Sequence, residues 1–213
     1  MTSKDKWISP NEASDMVFTD PQGPMDDFSF GLLRRQLRGK PNSVTTFARA
    51  KLQPRRPDDT DRIASALWPI TAAAWAVVLA PGVSDDLAMP ELLFPRYEAE
   101  LIAWEKVMLI SVTLRFPDAA SRHDIVDQVR TFATLRLARA RGLTSMIVLH
   151  MPGEMASANA PHCHIVTLAR EHRPYGFGAY AADLIVNEGQ TILFEEWIRF
   201  QRSWATGTLG EDA

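Results

Sequence analysis

The sequence has only one cysteine, Cys163, and only three tyrosines among its 213 residues. A single cysteine excludes an internal disulfide, and with it the small secreted domains that disulfides hold together. No apolar run approaches the roughly 20 residues of a membrane-spanning helix. The polar N-terminus lacks the apolar core of a secretion signal. These absences predict a cytoplasmic protein that does not associate with membranes.

The charge balance is slightly acidic, with a formal net charge of −3. This balance argues against a general nucleic-acid binder, but the cations are unevenly distributed. Between Arg34 and Arg56 the sequence has eight cations and no carboxylate. Such a block can follow a phosphate backbone, or it can be a solvated basic helix face. The sequence leaves both interpretations open.

Composition and periodicity predict one α+β domain with N-terminal additions. With 46% apolar residues, the chain can form a sizeable core. We expect a flexible segment at 1–24, a helical basic segment at 25–70, the α+β domain at 71–206 and a frayed tail at 207–213.

Hydrophobic periodicity and capping residues locate the individual elements. Helices are predicted over Asp26–Arg38, from Asn42 or Ser43 through Leu52, from Pro90 to about Trp104, over Ser121–Arg141 and over Thr191–Trp204. Strands are predicted at Ala74–Leu79, Lys106–Phe116, Met146–His150, from His162 onward, and as a small edge strand at Ala182–Val186. Arg170–Tyr180 is predicted to be a Gly-rich loop. This order favours a mostly antiparallel sheet of four or five strands with helices packed on it.

Three of the five histidines lie in the stretch Met146–Ala169. The first, His150, ends a predicted strand, and a polar loop leads to the next strand. Because side chains alternate along a strand, His162 and His164 project from one face. If the two strands pair antiparallel, His150 joins them, and three imidazoles form a half-shell for a divalent metal. The alternative is a hydrogen-bonded histidine cluster that binds nothing.

The same stretch resembles the MobA/MobL relaxases, the plasmid-mobilisation nickases built on a His-hydrophobic-His motif. The matching features are a strand ending in a histidine, Asn159-Ala160-Pro161-His162-Cys163-His164, Thr167-Leu168-Ala169-Arg170, Gly176-Phe177-Gly178, and Pro90-Glu91-Leu92 upstream. A Trp-containing helix downstream, with Glu196-Trp197, also resembles the family. The resemblance runs from near Trp75 to about Leu209, nearly two thirds of the chain.

The resemblance implies a relaxase-like palm with a metal site. His150, His162 and His164 would hold one divalent cation, such as Mn, Mg or Zn, against the scissile phosphate of single-stranded DNA. Three imidazoles favour Mn, Co, Ni or Zn over Mg. Glu154 and Asp183 are candidates for a carboxylate that orients a histidine through its second ring nitrogen. Other mobilisation proteins are expected as further partners.

The sequence departs from the family in its nucleophile, which in relaxases is a tyrosine near the N-terminus. Here the first tyrosine is Tyr97, and the family's N-terminal strand and the Arg- and Ser-rich segment after it are not recognisable. A phosphotyrosine intermediate therefore cannot form at the usual place. Tyr175 and Tyr180 are the candidate substitutes, although a tyrosine in a Gly-rich loop more often packs or stacks.

Three functions follow as hypotheses. The first is a relaxase-like single-stranded DNA-binding protein whose nicking is weak, metal-hydrolytic or lost. The second is a His-cluster metallohydrolase, acting on phosphodiesters or esters through metal-bound water. The third is a non-enzymatic scaffold. For the first, phosphate contacts are predicted at Arg34, Arg35, Arg38, Arg49, Lys51, Arg170 and Arg173, with base stacking at Tyr175 and Phe177.

Overall fold

The computed structural model describes residues 7–64, 68–118, 121–155 and 159–208. The strands are β1 (Val17–Thr19), β2 (Phe28–Arg34), β3 (Gln36–Leu37), β4 (Lys40–Pro41), β5 (Ala74–Val78), β6 (Val107–Arg115), β7 (Ser145–His150), β8 (His162–Leu168), β9 (Arg170–Arg173) and β10 (Gly176–Tyr180). The helices are α1 (Pro10–Ser14), α2 (Val44–Leu52), α3 (Asp59–Ala64), α4 (Pro90–Ala99), α5 (Arg122–Phe132, continued as a π-helix over Ala133–Arg139) and α6 (Gly189–Thr206).

A six-stranded sheet forms the centre of the fold, in the order β1, β2, β6, β8, β7, β5. All of its neighbouring strands pair antiparallel. Helices pack on this sheet, so the predicted α+β class is confirmed, and the sheet has more than the predicted four or five strands. Strand β8 lies between β6 and β7, which places the histidine motif near the middle of the sheet.

Strand β2 occupies a segment that was predicted to be a helix over Asp26–Arg38, and that prediction is wrong. The spacing of Phe28, Leu32 and Leu33 fits a helix, but Phe28, Phe30 and Leu32 also alternate as in a strand. These residues are all buried, with the alternating three in one core and Leu33 in the other. In a segment this short, the neighbouring Leu32 and Leu33 complete a helical spacing from Phe28 as readily as a strand pattern, so periodicity alone does not separate the two.

Each face of the sheet has its own core. On one face α5 and α6 contribute an aromatic cluster in which Phe132 contacts Trp197 and Phe200 edge to face. On the other face α2 and α4 contribute Phe47 and Tyr97, among other buried residues. Each such buried side chain contributes about 1.5–3 kcal/mol by removal from water. The histidine motif lies on the α2 side.

Helix α2 is fixed at its N-terminus by polar contacts, as the capping signal predicted. The Ser43 hydroxyl accepts from the main-chain N–H of Thr46 at 3.1 Å. The Glu98 carboxylate, at the end of α4, accepts from the N–H groups of Val44 and Thr45. These contacts satisfy donors that a helix start leaves unpaired. They also determine where the last turn of α2 lies, beside the histidines.

Other segments also differ from the sequence-based expectation. Arg170–Tyr180 is a β-hairpin of β9 and β10 rather than a loop. Ala182–Val186 forms turns rather than an edge strand, and α4 ends at Ala99, before the predicted Trp104. The segment 1–24, predicted to be flexible, contains helix α1 and strand β1. Residues 1–6 of that segment, and 209–213 of the predicted frayed tail, lie outside the described residues.

Candidate metal centre

Three histidines converge at one end of strands β7 and β8. His150 and His162 are directly paired across the two antiparallel strands, and His164 lies two residues further along β8. Paired residues and residues two apart share a sheet face. The prediction that these three imidazoles come together is confirmed by the register.

The three rings form a compact triangle. Their centroids are 5.2 Å apart for His150–His162, 4.6 Å for His150–His164 and 5.0 Å for His162–His164. One nitrogen from each ring lies within 4.8 Å of the others, so the three can hold one ion. His150 and His164 are only 5% and 6% exposed, and His162 is half-buried. Three imidazoles are a donor set that suits Zn, Co, Ni or Mn.

Each imidazole uses one nitrogen for a hydrogen bond to the protein. His150 Nε2 lies 2.7 Å from the main-chain oxygen of Lys51, and His162 Nδ1 lies 3.0 Å from that of Ala160. Because a carbonyl only accepts, both nitrogens carry the hydrogen, and the lone pairs are left on His150 Nδ1 and His162 Nε2. His164 Nδ1 lies 2.9 Å from the hydroxyl of Thr113, which leaves its Nε2. Metal-binding histidines are oriented in this way by their second nitrogen.

Burial keeps these imidazoles neutral at neutral pH. Desolvation is the main reason why the pKa of His150 is lowered to about 4. It also lowers the pKa of His162, and that of His164 further, with the nearby charge of Lys51 contributing in both. A neutral imidazole has the lone pair that a metal requires. The triad is therefore ready to bind a cation without first losing a proton.

The triad lies at one side of a pocket of about 720 Å³. The sheet forms a floor of small polar side chains: Thr113 pairs with His164, Ser29 pairs with Thr113, and Ser111 pairs with Gly31 of β2. Neighbouring strands are about 4.8 Å apart, so this floor extends about 10 Å from β8 across β6 to β2. A floor without bulky side chains leaves room for an extended polar ligand.

The charged groups lining the pocket are mainly basic. Arg115 pairs with His162 in the sheet, and its guanidinium donates to Ser29 Oγ at 3.0 Å. Lys51 also lines the pocket, and burial lowers the pKa of its ammonium to about 8. Asp20 also lines the pocket, where one of its oxygens accepts from the Phe30 N–H. The pocket therefore suits an anionic ligand.

The cations predicted to contact DNA are dispersed over the fold. Arg34 lies over the ring of Phe18 at 4.3 Å, and Arg35 donates to the main-chain oxygens of Ile102 and Glu105. Arg38 is exposed in the β3–β4 turn, and Arg49 is half-buried on α2. Of this predicted block, Lys51 is the member that lines the pocket in the described chain.

The predicted phosphate contacts Arg170 and Arg173 lie far from the histidines. Arg170 is 8% exposed and donates to the carbonyls of Gly178, Glu100 and Phe177. Its guanidinium is thus used to hold the β9–β10 hairpin. Arg173 is exposed and pairs with Glu171. Strand β8 alone separates His162 from this end of the sheet by about 20 Å.

None of the three tyrosines lines the pocket. Tyr97 is buried on α4 and donates to the main-chain oxygen of Met108 at 2.9 Å. Tyr175 is fully exposed in the β9–β10 turn, and Tyr180 pairs with Arg170 in the hairpin. The hairpin continues from the far end of β8, so the structure does not bring either candidate nucleophile to the triad. Phe177, the predicted stacking partner, packs against Tyr97.

The two candidate orienting carboxylates differ in position. Asp183 pairs with Arg141 at 3.0 Å and does not line the pocket. Glu154 belongs to a 3₁₀ turn over Pro152–Met155, but its side chain lies outside the described residues. In the described residues, His150 and His162 donate to two carbonyls, and His164 Nδ1 contacts the Thr113 hydroxyl.

Several pocket residues were missed from the sequence. Ser111, Thr113 and Arg115 alternate in the otherwise apolar strand β6, and this pattern of polar residues two apart was a usable signal for one polar face. Ser29 and Gly31 were missed because their strand was predicted to be a helix.

A solved structure resembles this chain: a protein from work on the molecular basis of vancomycin resistance transfer in Staphylococcus aureus. The two share 14% identity with a TM-score of 0.53, over 68% of this chain and 74% of the other. At this identity the likeness extends to the fold, an α+β arrangement around a six-stranded antiparallel sheet. Comparison of the sequence with protein-family models and with curated proteins gave no match. No helix within the described ranges is long and apolar enough to cross a membrane.

Proposed function

We propose that the protein is a metal-dependent, relaxase-like protein of plasmid mobilisation, of the MobA/MobL type, that binds single-stranded DNA. The observation that carries the proposal is the histidine triad, in which each ring has one nitrogen held by the protein and one left for a shared cation. The relaxase-like fold and the basic lining of the adjoining pocket support a DNA phosphodiester as the ligand.

Different residues of the pocket would contact different parts of a bound phosphodiester. His150, His162 and His164 would hold the cation, which when bound supplies polarisation of phosphoryl oxygens and offsets transition-state charge. Arg115, fixed through Ser29, provides a second positive group next to His162. The polar floor leaves space for the sugar and base that flank the phosphate.

We further propose that cleavage, where it occurs, is hydrolytic. Since the chain's three tyrosines all lie away from the pocket, water is the nucleophile that fits the site. Its oxygen forms a new bond to phosphorus, one P–O bond to deoxyribose breaks, and the departing oxygen takes up a proton. The products are two free DNA ends, with no covalent link to the protein.

The test uses single-stranded DNA labelled at either end, incubated with the protein and Mn²⁺ or Zn²⁺. Wild-type protein should bind and cut it without a labelled protein band, and the Tyr175→Phe/Tyr180→Phe double variant should act equally well. His162→Ala should abolish cleavage. A phosphotyrosine peptide from wild-type protein would overturn the hydrolytic step. Failure to bind single-stranded DNA in the presence of bound metal would overturn the function.

A second candidate is a metallohydrolase that acts on small phosphodiesters or esters. The lack of a tyrosine in the pocket favours it as much as it favours hydrolytic nicking. The two are separated by substrate: turnover of bis-p-nitrophenyl phosphate or p-nitrophenyl acetate by a protein that does not bind single-stranded DNA would favour the metallohydrolase.

A further inference from the structure

Lys51 is a charged side chain in an unusual setting. It ends helix α2 and is only 7% exposed. Across the described residues, no carboxylate or carbonyl accepts a hydrogen bond from its ammonium, and its recorded contact is with the Phe47 ring at 5.3 Å. The ammonium nitrogen keeps some access to the pocket, where water or an anion from outside the protein can contact it. The missing partner points to an anion from outside the protein.

The position of Lys51 identifies which site this anion would occupy. Its main-chain oxygen accepts from His150, and its side chain lines the pocket. Burial first, and then the charge of Lys51 among other groups, lowers the pKa of all three histidines of the triad. Arg115 pairs with His162 on the other side. Lys51 and Arg115 therefore both line the pocket that contains the triad.

A structural role does not explain the charge. The aliphatic stem of Lys51 packs in the core around Phe47, and a methionine would fill that space equally well. The carbonyl that holds His150 belongs to the main chain and would be present with any side chain. In the described chain, the contact of the ammonium that can stabilise the fold is the one with the Phe47 ring at 5.3 Å, and it leaves the ammonium able to donate to a ligand.

We propose that the Lys51 ammonium is an anion-binding group of the pocket, which donates a hydrogen bond to a non-bridging phosphoryl oxygen of the ligand. This proposal rests on the proposed function for its natural ligand, a DNA phosphodiester. It differs from the metal site because an ammonium attracts phosphate whether or not a cation is bound. Metal-free protein therefore retains part of its affinity for phosphate, and Lys51 accounts for it.

The test compares Lys51→Met and Lys51→Arg with Lys106→Met. Lys106 is exposed, immediately before β6, so its substitution makes the same change in net charge away from the pocket. The probes are a fluorescent hexathymidylate and inorganic pyrophosphate, each added to EDTA-treated protein. Lys51→Met should weaken both about tenfold, Lys51→Arg should restore part of the loss, and Lys106→Met should change neither by more than about twofold. Zn²⁺ binding should persist in Lys51→Met because the ligands are intact.

The outcomes separate this proposal from the function on which it rests. Equal binding of both probes by wild type and Lys51→Met overturns the role of Lys51 and leaves the function standing. Lys51-dependent binding of pyrophosphate without binding of DNA supports the anion site and overturns the function. Binding of neither probe by wild type overturns both.

A second measurement uses wild-type protein alone, in case Lys51→Met does not fold. Acetic anhydride labels accessible lysines, and mass spectrometry gives the rate at each position. Pyrophosphate should slow the labelling of Lys51 several-fold and leave Lys106 unchanged. Equal rates at Lys51 with and without pyrophosphate overturn the proposal.

Discussion

The start of strand β8 and strand β9, which follows its far end, each carry histidine and lie near an arginine, yet they differ in what those groups contact. At one end His162 and His164 each have a nitrogen within 4.8 Å of one on His150, and all three rings line a pocket. At the other end Arg170 has three carbonyl partners, and His172 contacts Thr144 and stacks on Phe177. The groups near β9 stabilise the fold, whereas the triad of His150, His162 and His164 is able to bind a metal ion.

A lowered pKa does not by itself distinguish the two ends. Burial lowers the pKa of His150 and of His172 to about 4 alike. What differs is convergence: three rings with a free nitrogen surround one point at the first end, and one ring stacks on a phenylalanine at the second. A lowered pKa is common to buried histidines in general. The arrangement of the ring nitrogens is what identifies the binding site.

The largest effect is expected from removing one histidine at each end. His162→Ala removes one of three ligands and should weaken Zn²⁺ or Co²⁺ binding by at least 100-fold. His172→Ala should leave metal affinity within about threefold, because that ring lies beyond the far end of β8. Isothermal titration with each metal measures both. Equal losses in the two variants would show that the triad is not the metal site.

The second prediction concerns stability at the far end. Arg170→Met leaves the carbonyls of Gly178, Glu100 and Phe177 without their donor, and leaving buried acceptors unsatisfied costs about 1–3 kcal/mol of unfolding free energy. Urea titration measures it. Arg173→Met, in the same hairpin but exposed and paired with Glu171, should cost less than about 1 kcal/mol.

If Arg170→Met were instead as stable as wild type but bound single-stranded DNA less well, Arg170 would be a phosphate contact, as the sequence suggested. The structure argues for the other result, since the guanidinium is enclosed. Zn²⁺ affinity should be unchanged in Arg170→Met, which keeps this experiment independent of the histidine end.

The sequence predicted the histidine site better than it predicted its surroundings. Strand alternation at His162 and His164 is a local property, so the convergence followed once β7 and β8 paired. The positions of the cations from Arg34 to Arg56 could not be predicted from local sequence. It depended on β2 being a strand, which sends Arg34 and Arg35 to partners outside the pocket, and on α2 turning Lys51 inward. Arg170 matches the arginine of the family motif, but in this structure its guanidinium holds main-chain carbonyls together.

The smallest effect is a difference in pH dependence between wild type and His172→Phe, measured without metal. The pKa of His172 is lowered in the folded protein, so between pH 6.5 and about 4 the unfolded chain binds more protons at this position. The contribution of His172 to the unfolding free energy is therefore fully present above pH 6.5 and is lost as the pH falls toward 4. A pKa of about 4 against 6.5 amounts to about 2 kcal/mol at pH 5.

His172→Phe keeps a ring against Phe177 but has no group to titrate. Its unfolding free energy should consequently fall less than that of wild type between pH 7 and pH 5, by about 2 kcal/mol, whatever its stability at pH 7. Parallel curves for the two proteins would mean that His172 is as easily protonated when folded as when unfolded, and that its burial against Phe177 is less complete than the structure describes.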